Sequence, residues 1–225
     1  MTRSGPEAQG PAGSLPRLHV VTDDSMLARG GFEARAIAAL EAGGPGVALH
    51  LRGPRTDGSA LYRLASALVP HARRSGTLLV VNDRLDVALA LEVDGVHVGH
   101  RSLGVRIARG LLGEDLWLGA SVHDAKEASA ARQEGADYAF LGTIFETPSH
   151  PGRVGMGVEG LAATVGRVGG LPIVAIGGID PARVPEVLAA GAYGVAVVRG
   201  IWDAREASGA VLRYRQAIEE GRKAV

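Results

Sequence analysis

Short apolar runs alternate along the chain with longer segments in which apolar residues recur at helical spacing. The runs are rich in Val, Leu and Ile and hold few polar residues, as in parallel strands that are covered on both faces. They predict eight strands. In chain order these are Leu18–Thr22, Val47–Leu51, Thr77–Asn82, Gly95–Val98, Leu116–Ser121, Asp137–Leu141, Pro172–Ile176 and Gly194–Val198.

The segments between the strands have the apolar period of helices that bury one face. Gly and Pro end some of them, for example at Gly43-Gly44-Pro45. One helix is predicted after each strand. These helices are Phe32–Ala42, Gly58–Arg74, Asp83–Leu91, Val105–Leu112, Ala125–Glu134, Leu161–Val168, Pro181–Ala190 and Glu206–Gly221.

The alternation of strands and helices predicts a parallel sheet, and eight such units predict an α/β fold of the (β/α)8 TIM barrel type. An open, doubly wound sheet is the alternative that the pattern leaves open. Residues 1–16 are rich in Gly, Pro and polar side chains, so we predict a disordered N-terminal tail there. The barrel domain then spans residues 17–225.

Composition narrows the classes of function. The 225 residues are 46% hydrophobic, enough for a large core, and the formal net charge is zero. A basic surface for nucleic acid or anionic lipid is therefore not expected. The absence of cysteine excludes thiolate nucleophiles, disulfides and iron–sulfur clusters. No apolar run approaches the ~20 residues of a membrane span, and a signal-peptide stretch is lacking, so we expect a soluble, cytoplasmic protein.

The carboxyl ends of the strands are where a TIM barrel places its functional side chains. The loops after the seventh and eighth strands usually bind phosphate, because glycines let backbone N–H groups approach phosphate oxygens. Here those loops contain Gly177-Gly178 and Arg199-Gly200. We predict that these four residues bind phosphate, Arg199 through a charge-assisted hydrogen bond. A tight turn at the glycine pair and a solvated Arg199 are the structural alternatives.

Three other features carry less weight. Residues 155–160 match G-x-G-x-x-G but follow a loop instead of a strand, so they lack the context of a dinucleotide site. His97 and His100 are three apart with no third ligand nearby in sequence, so a zinc site is not predicted. We expect neither a metal nor an organic cofactor. The long loop at 143–157 is interpreted either as a lid or as a static surface loop.

Several segments together resemble one family. They are VNDRLDVALA at 81–90, DGVHVG at 94–99, GADY at 135–138, IGGI at 176–179 and GVAV at 194–197. From Leu18 to the last helix, the chain resembles the superfamily of thiamin phosphate synthases and thiazole tautomerases (TenI). The resemblance implies a (β/α)8 barrel, in agreement with the count of strand–helix units. It also implies a homodimer, since the family is commonly dimeric.

The synthase branch joins a pyrimidine pyrophosphate to a thiazole phosphate with magnesium. Its motifs resemble Q-L-R-E-K on the second strand, G-Q-x-D after the fourth and T-x-T-K after the sixth. The matching segments here are HLRGP at 50–54, GHRS at 99–102 and a loop without Lys at 146–153. Arg52 is retained, but Ser102 replaces a magnesium-binding Asp, so Asp83 stands alone as the matching ligand.

The tautomerase branch resembles the chain at three places, in HLR at 50–52, SVH at 121–123 and FET at 145–147, although synthases can also carry a His at position 123. We therefore predict a thiazole tautomerase, an isomerase. It would aromatise a carboxylated dihydrothiazole ethyl phosphate to 2-(2-carboxy-4-methylthiazol-5-yl)ethyl phosphate. The resemblance makes His123 the catalytic acid/base, a role that suits an imidazole near neutral pH.

The remaining site residues follow from the same resemblance. His50 is predicted to hold the substrate carboxylate or to assist proton transfer, with a barrel-mouth His bonded to a neighbour as the structural alternative. The predicted substrate-binding residues are Arg52, Asn82, Ser121 and Thr143. Two other functions stay open: a magnesium-dependent thiamin phosphate synthase, and a non-catalytic, phosphate-binding or regulatory protein on the same barrel.

Overall fold

The computed structural model describes residues 9–10, 13–91, 93–147, 152 and 154–224. Much of the predicted tail at 1–16 lies outside the described residues. Within it, Gln9–Gly10 (β1) pairs antiparallel with Gly13–Ser14 (β2). Leu15 is buried and packs against side chains of the barrel. The end of the predicted tail therefore belongs to the packed domain.

Eight parallel strands form a closed barrel, which confirms the predicted (β/α)8 fold. They are β3 (Leu18–Val21), β4 (Val47–Leu51), β5 (Leu78–Asn82), β6 (Gly95–Val98), β7 (Trp117–Val122), β8 (Tyr138–Gly142), β9 (Ile173–Ile176) and β10 (Gly194–Val197). Each strand pairs with the next along the chain, and β10 returns to β3 with Val195 opposite Leu18. This last pairing closes the sheet, so the open-sheet alternative is wrong.

Helices surround the strands. They are α1 (Asp24–Leu27), α2 (Phe32–Gly43), α3 (Gly58–Ser75), α4 (Leu85–Leu91), α5 (Val105–Leu112), α6 (Ala125–Gln133), α7 (Gly157–Val168), α8 (Val184–Ala189), α9 (Arg199–Trp202) and α10 (Ala207–Ala224). Local chemistry sets several starts: the carboxylates of Asp57 and Asp124 accept backbone N–H groups in the first turns of α3 and α6. None of the described helices is both long and apolar enough to cross a membrane.

Buried apolar side chains form two clusters. The larger one lies between the strands and the surrounding helices. The smaller one fills the inside of the barrel and consists of Leu15, Val21, Trp117, Tyr138, Phe140, Val174 and Ala196. Three histidines share this interior, since His19, His50 and His97 are each at most 1% exposed. The interior is therefore a packed core that contains polar rings, and the functional surface has to lie above it.

Gly119 on β7 makes room for two of these interior rings. A Cβ atom added at Gly119 would lie 2.2 Å from Cζ of Tyr138 and 2.5 Å from Nδ1 of His97. Both rings are fully buried, so neither has free space to move into. Only glycine at this position lets the two rings share one layer of the barrel.

Replacing Gly119 with alanine is therefore expected to lower the free energy of unfolding by about 1–3 kcal/mol, the usual cost of overpacking a core. Urea unfolding measures this change. Gly110→Ala on the exposed side of α5 is the matched control, because a Cβ there meets nothing within 4 Å. The control should stabilise the helix by up to about 1 kcal/mol. Equal effects of the two substitutions would contradict the packing account.

Candidate active site

The carboxyl ends of the eight strands meet at one end of the barrel, which we call the barrel mouth. Almost all of the predicted site residues lie at these ends or in the loops and short helix that follow them. They are Arg52 after β4, Asn82 on β5, Ser121 on β7, His123 after β7, Thr143 after β8, Gly177 and Gly178 after β9, and Arg199 and Gly200 in α9. The fold thus brings to one end residues that are far apart in sequence. His50, within β4, lies below this level in the interior.

Arg52 is held at the barrel mouth by its backbone. The Thr22 hydroxyl donates to the carbonyl oxygen of Arg52 (2.9 Å) and accepts from its N–H (2.8 Å). Within the described part of the chain, the Arg52 guanidinium has no hydrogen-bond or ion-pair partner. Its charge is nevertheless felt by the interior, since it helps to lower the pKa of His97. The mouth therefore holds a positioned cation that is not committed to a neighbouring side chain.

A chain of hydrogen bonds fixes which ring nitrogens of His19 and His50 carry a proton. His19 Nε2 lies 3.0 Å from the Pro16 carbonyl oxygen, which only accepts, so Nε2 carries the proton. His19 Nδ1 then accepts from His50 Nε2 at 2.8 Å. His50 Nδ1 is left without a proton, and the Asn82 amide lies next to it, with Oδ1 at 3.2 Å. Because an oxygen cannot donate to an unprotonated nitrogen, we assign the Asn82 amide the flipped orientation, with the NH2 group toward His50 and the oxygen away from it.

Burial keeps all three interior histidines neutral. It lowers the pKa of His19 to about 3, and it lowers the pKa of His97 to about 3, where the nearby His19 ring and the charge of Arg52 further disfavour a positive charge. Burial also lowers the pKa of His50 well below its usual value, and repulsion from the other two rings adds to this. Such rings serve as hydrogen-bonding core groups at neutral pH. Above them, the Ser121 hydroxyl lies 2.9 Å from His97 Nε2.

The predicted phosphate glycines have a structural function as well. Gly177 and Gly178 have φ angles of 108° and 64°, which disfavour other residues. A Cβ at Gly177 would lie 2.7 Å from the Thr143 side chain, and one at Gly178 would lie 2.5 Å from the Glu146 carbonyl oxygen. Both glycines thus allow the loop after β8 to pack closely on the loop after β9. The Phe145 N–H donates to the Gly177 carbonyl oxygen (3.1 Å), which ties the loops together.

Arg199 and Gly200 begin the short helix α9 on the opposite side of the β9 loop. Gly200 allows α9 to pack on α10, because a Cβ there would lie 2.2 Å from the Tyr214 hydroxyl oxygen. Arg199 is exposed and lies near Asp23. Burial would raise the pKa of the Asp23 carboxyl, but hydrogen bonds with the first turn of α1 outweigh this, and the charge of Arg199 lowers the pKa further.

The loop at 143–157, interpreted as a lid or a static loop, lies partly outside the described residues. Its two ends are anchored. At the start, Ile144 N–H donates to the Ile176 carbonyl oxygen (3.0 Å). At the end, Met156 N–H donates to the Thr143 carbonyl oxygen (3.0 Å). These contacts hold the base of the loop against the barrel mouth.

The resemblance to the synthases implies a magnesium site, but the residues at the matching positions form an incomplete set of ligands. Asp83 is the matching carboxylate, and its Oδ1 accepts from the Gly99 N–H (2.9 Å). Ser102 stands where the second carboxylate is expected, and among the described residues its buried Oγ has no hydrogen-bond partner. A hydroxyl supplies no negative charge for a hard cation. These residues therefore do not fit a two-carboxylate magnesium site.

Three ligand-type side chains that no sequence motif groups lie together beside this position. They are His100 after β6, His123 after β7 and Glu127 in the first turn of α6. One nitrogen or oxygen of each lies within 4.8 Å of those of the other two. His97, which the sequence pairs with His100, instead points into the barrel interior. The spacing of four between His123 and Glu127 across the start of a helix is the signal that was available.

Comparison with protein families matches residues 18–201 to the family described as thiamine monophosphate synthase. The thiamine-phosphate synthase of Chloroflexus aurantiacus is 41% identical over 203 residues, covering 90% of this chain and 92% of that protein. The synthase of Mycolicibacterium smegmatis is 44% identical over 164 residues, covering 73% and 70%. Among solved structures, the thiamine phosphate pyrophosphorylase of Pyrococcus furiosus superposes with a TM-score of 0.79 at 33% identity, covering 91% and 96%.

These similarities show that the prediction of a thiazole tautomerase, an isomerase, is wrong, because the relatives that match along most of their length are named as synthases. One physical reason lies in the HLR segment at 50–52, which is among the features that favoured the tautomerase branch. His50 is fully buried and bonded within the histidine chain, so it reports on core packing and not on the reaction. His123 does not separate the two branches either, because the resemblance allows a His at that position in both.

Proposed function

Because the chain belongs to the thiamine monophosphate synthase family, we propose that it is a thiamine-phosphate synthase, a transferase that couples a pyrimidine pyrophosphate with a thiazole phosphate. The observation that carries this proposal is the 41% identity with a synthase along 92% of that protein's length. The barrel mouth supports it, because an uncommitted cation and two glycine-bearing loops suit substrates that carry phosphate groups.

The reaction is a substitution at the carbon that bears the diphosphate. The bond between that carbon and the diphosphate oxygen breaks, and the thiazole nitrogen forms a new bond to the same carbon. Inorganic diphosphate leaves with the electron pair, and the ring nitrogen becomes positively charged. No proton has to be taken or given. The protein's task is therefore to hold two substrates in line and to stabilise negative charge on the leaving group.

The residues of the barrel mouth divide between these two tasks. Arg52 binds the diphosphate, since its backbone is fixed by Thr22 and its guanidinium is left for a ligand. The loops that carry Gly177-Gly178 and Arg199 bind the phosphate of the thiazole substrate, as their place in the barrel predicts. The Asn82 amide oxygen, turned away from His50, accepts a hydrogen bond from substrate. The homodimer implied by the resemblance remains a prediction.

A coupling assay tests the proposal. The purified chain is incubated with both substrates and with magnesium, manganese, cobalt or zinc in parallel, and thiamine phosphate is identified by mass. We expect product only when both substrates are present. If both substrates bind but no product forms at enzyme concentrations equal to theirs, the protein is a non-catalytic binder and the proposal fails.

A further inference from the structure

His100, His123 and Glu127 form a compact triangle of potential ligands at the barrel mouth. His100 Nε2 lies 2.7 Å from His123 Nδ1. His123 Nδ1 lies 3.2 Å from Glu127 Oε2, and the third side, from His100 Nε2 to Glu127 Oε2, is 3.8 Å. Each residue comes from a different part of the β6–β7–α6 region, so the fold itself brings them together.

Backbone contacts hold the triangle in place. Asp124 caps α6 through the Glu127 N–H (2.8 Å), which fixes the first turn of the helix. The His123 N–H donates to Glu127 Oε2 at 2.7 Å, which orients the carboxylate toward the two rings. A supporting hydrogen bond of this kind is typical of carboxylates that ligate metals.

Hydrogen bonding alone leaves the triangle poorly satisfied. The imidazole rings of His100 and His123 are tilted by 34° with centroids 4.4 Å apart, and their nearest nitrogens lie 2.7 Å from each other. When both rings are neutral, only one of the two facing nitrogens can donate to the other, so His123 Nδ1 cannot satisfy both His100 and Glu127, and two acceptor lone pairs or two N–H groups are brought close together. A cation at the centre replaces this repulsion with three attractive contacts.

We propose that His100, His123 and Glu127 bind one divalent transition-metal ion of the zinc class. Ligand–metal distances of about 2.0–2.2 Å place the ligand atoms of a tetrahedral site about 3.3–3.6 Å apart. The observed separations of 2.7, 3.2 and 3.8 Å bracket this range. Two imidazoles and one carboxylate form the ligand set of zinc sites that keep an open position. Imidazole nitrogen favours zinc, cobalt or nickel over magnesium.

The open position faces solvent at the barrel mouth. The side chains of His100, His123 and Glu127 are 49%, 34% and 42% exposed, so a ligand oxygen has access to the ion. Ser102, which stands at the position of the second magnesium-binding carboxylate of the synthases, lies in the same loop as His100. The ion's role, which rests on the proposed synthase function, is to take an oxygen of the diphosphate and so supply the charge that the incomplete carboxylate site does not hold.

Metal binding by the complete, tag-free chain tests the site directly. Cobalt(II) is titrated and followed by its visible absorption, and zinc is measured by equilibrium dialysis. We expect one ion per chain and displacement of cobalt by zinc. His100→Gln installs the residue that the synthase motif carries there, and Glu127→Gln removes the carboxylate. Each should weaken binding by at least about tenfold, since losing only a supporting contact costs about 10–100-fold.

His71→Gln is the matched control, because His71 also lies near a glutamate (3.5 Å from Glu41) but has no third ligand in the described part of the chain. It should bind zinc and cobalt like the parent. Urea unfolding of each variant shows whether it is folded. Equal affinity of the parent and His100→Gln, or no binding by the folded parent, overturns the site. Binding without any coupling activity leaves the site standing and counts against the proposed function, so the two failures are distinguishable.

Discussion

Acidification from pH 7 to 5 is expected to lower the free energy of unfolding by about 6 kcal/mol. Three histidines inside the barrel cause this effect. Burial lowers the pKa of His19 and His97 to about 3, and it lowers that of His50 well below its usual value. In the unfolded chain each has a pKa of about 6.5. Unfolding below that pH therefore takes up three protons that the folded barrel does not bind.

The sign follows from the lowered pKa values. The stabilising contribution is fully present above pH 6.5 and is lost as the pH falls from 6.5 toward 3. Each histidine contributes a slope of about 1.4 kcal/mol per pH unit, so the three together give about 4 kcal/mol per pH unit near pH 5. The total free energy of unfolding of natural domains is about 5–15 kcal/mol. Cooperative acid unfolding is therefore expected at about pH 5–4.

Urea unfolding between pH 7 and 4.5 measures the slope above the range in which most carboxylates titrate. His97→Gln should reduce the uptake on unfolding from three protons to two. Leu68→Ala is the control, because Leu68 on α3 is fully buried in the larger apolar cluster between the strands and the helices, not in the cluster inside the barrel. It should lower stability by about 2–5 kcal/mol at every pH while leaving the slope unchanged. If the parent protein takes up less than one proton on unfolding near pH 5, the interior rings are already charged in the folded state, which would contradict this prediction.

Arg52→Gln is expected to lower kcat/KM for the coupling reaction by about 10²–10³-fold, the usual effect of removing one group that stabilises developing charge. Thr22 fixes the backbone of Arg52 at the barrel mouth, and the Arg52 guanidinium has no hydrogen-bond or ion-pair partner among the described residues. Because the leaving diphosphate gains negative charge in the transition state, kcat should fall more than KM rises. Arg52→Lys should recover part of the rate, since it keeps the charge but loses the two-pronged geometry.

The matched control is Arg167→Gln. Arg167 is exposed in the last turn of α7, at the end of the barrel away from the mouth. The Arg167→Gln substitution removes the same charge without changing the site. Its kcat/KM should therefore stay within about twofold of the parent value, as for most surface substitutions. An Arg52→Gln enzyme as active as the Arg167→Gln enzyme would remove Arg52 from the diphosphate site.

The sequence predicts the barrel well because strong local signals repeat. Helix α5 has the predicted bounds, Val105–Leu112, with a glycine just outside each end. The short helix α9 was missed for the opposite reason. Its four residues have no apolar period, and it is held by tertiary contacts such as the bond from Trp202 Nε1 to the Val21 carbonyl oxygen (2.8 Å). Helix α7 begins at Gly157, four residues before its predicted start.

The site was harder to predict than the fold, because strand periodicity does not reveal what fills a barrel. His50 and Arg52 are two apart and share a side of β4, yet His50 is in the core while Arg52 is at the mouth. His100 and His123 are 23 residues apart and meet only because β6 and β7 are neighbours. Three-dimensional neighbours of this kind leave no spacing motif in the sequence.

Phosphorus NMR of the complete reaction tests the central claim, that the chain couples the two substrates, most directly. The purified chain is followed with the pyrimidine pyrophosphate, the thiazole phosphate and divalent metal in one sample. We predict that the diphosphate ester is replaced by inorganic diphosphate while the thiazole monophosphate remains a monoester, with one diphosphate released per thiamine phosphate formed. Unchanged substrate signals would contradict the account, and so would diphosphate release that proceeds equally without the thiazole phosphate.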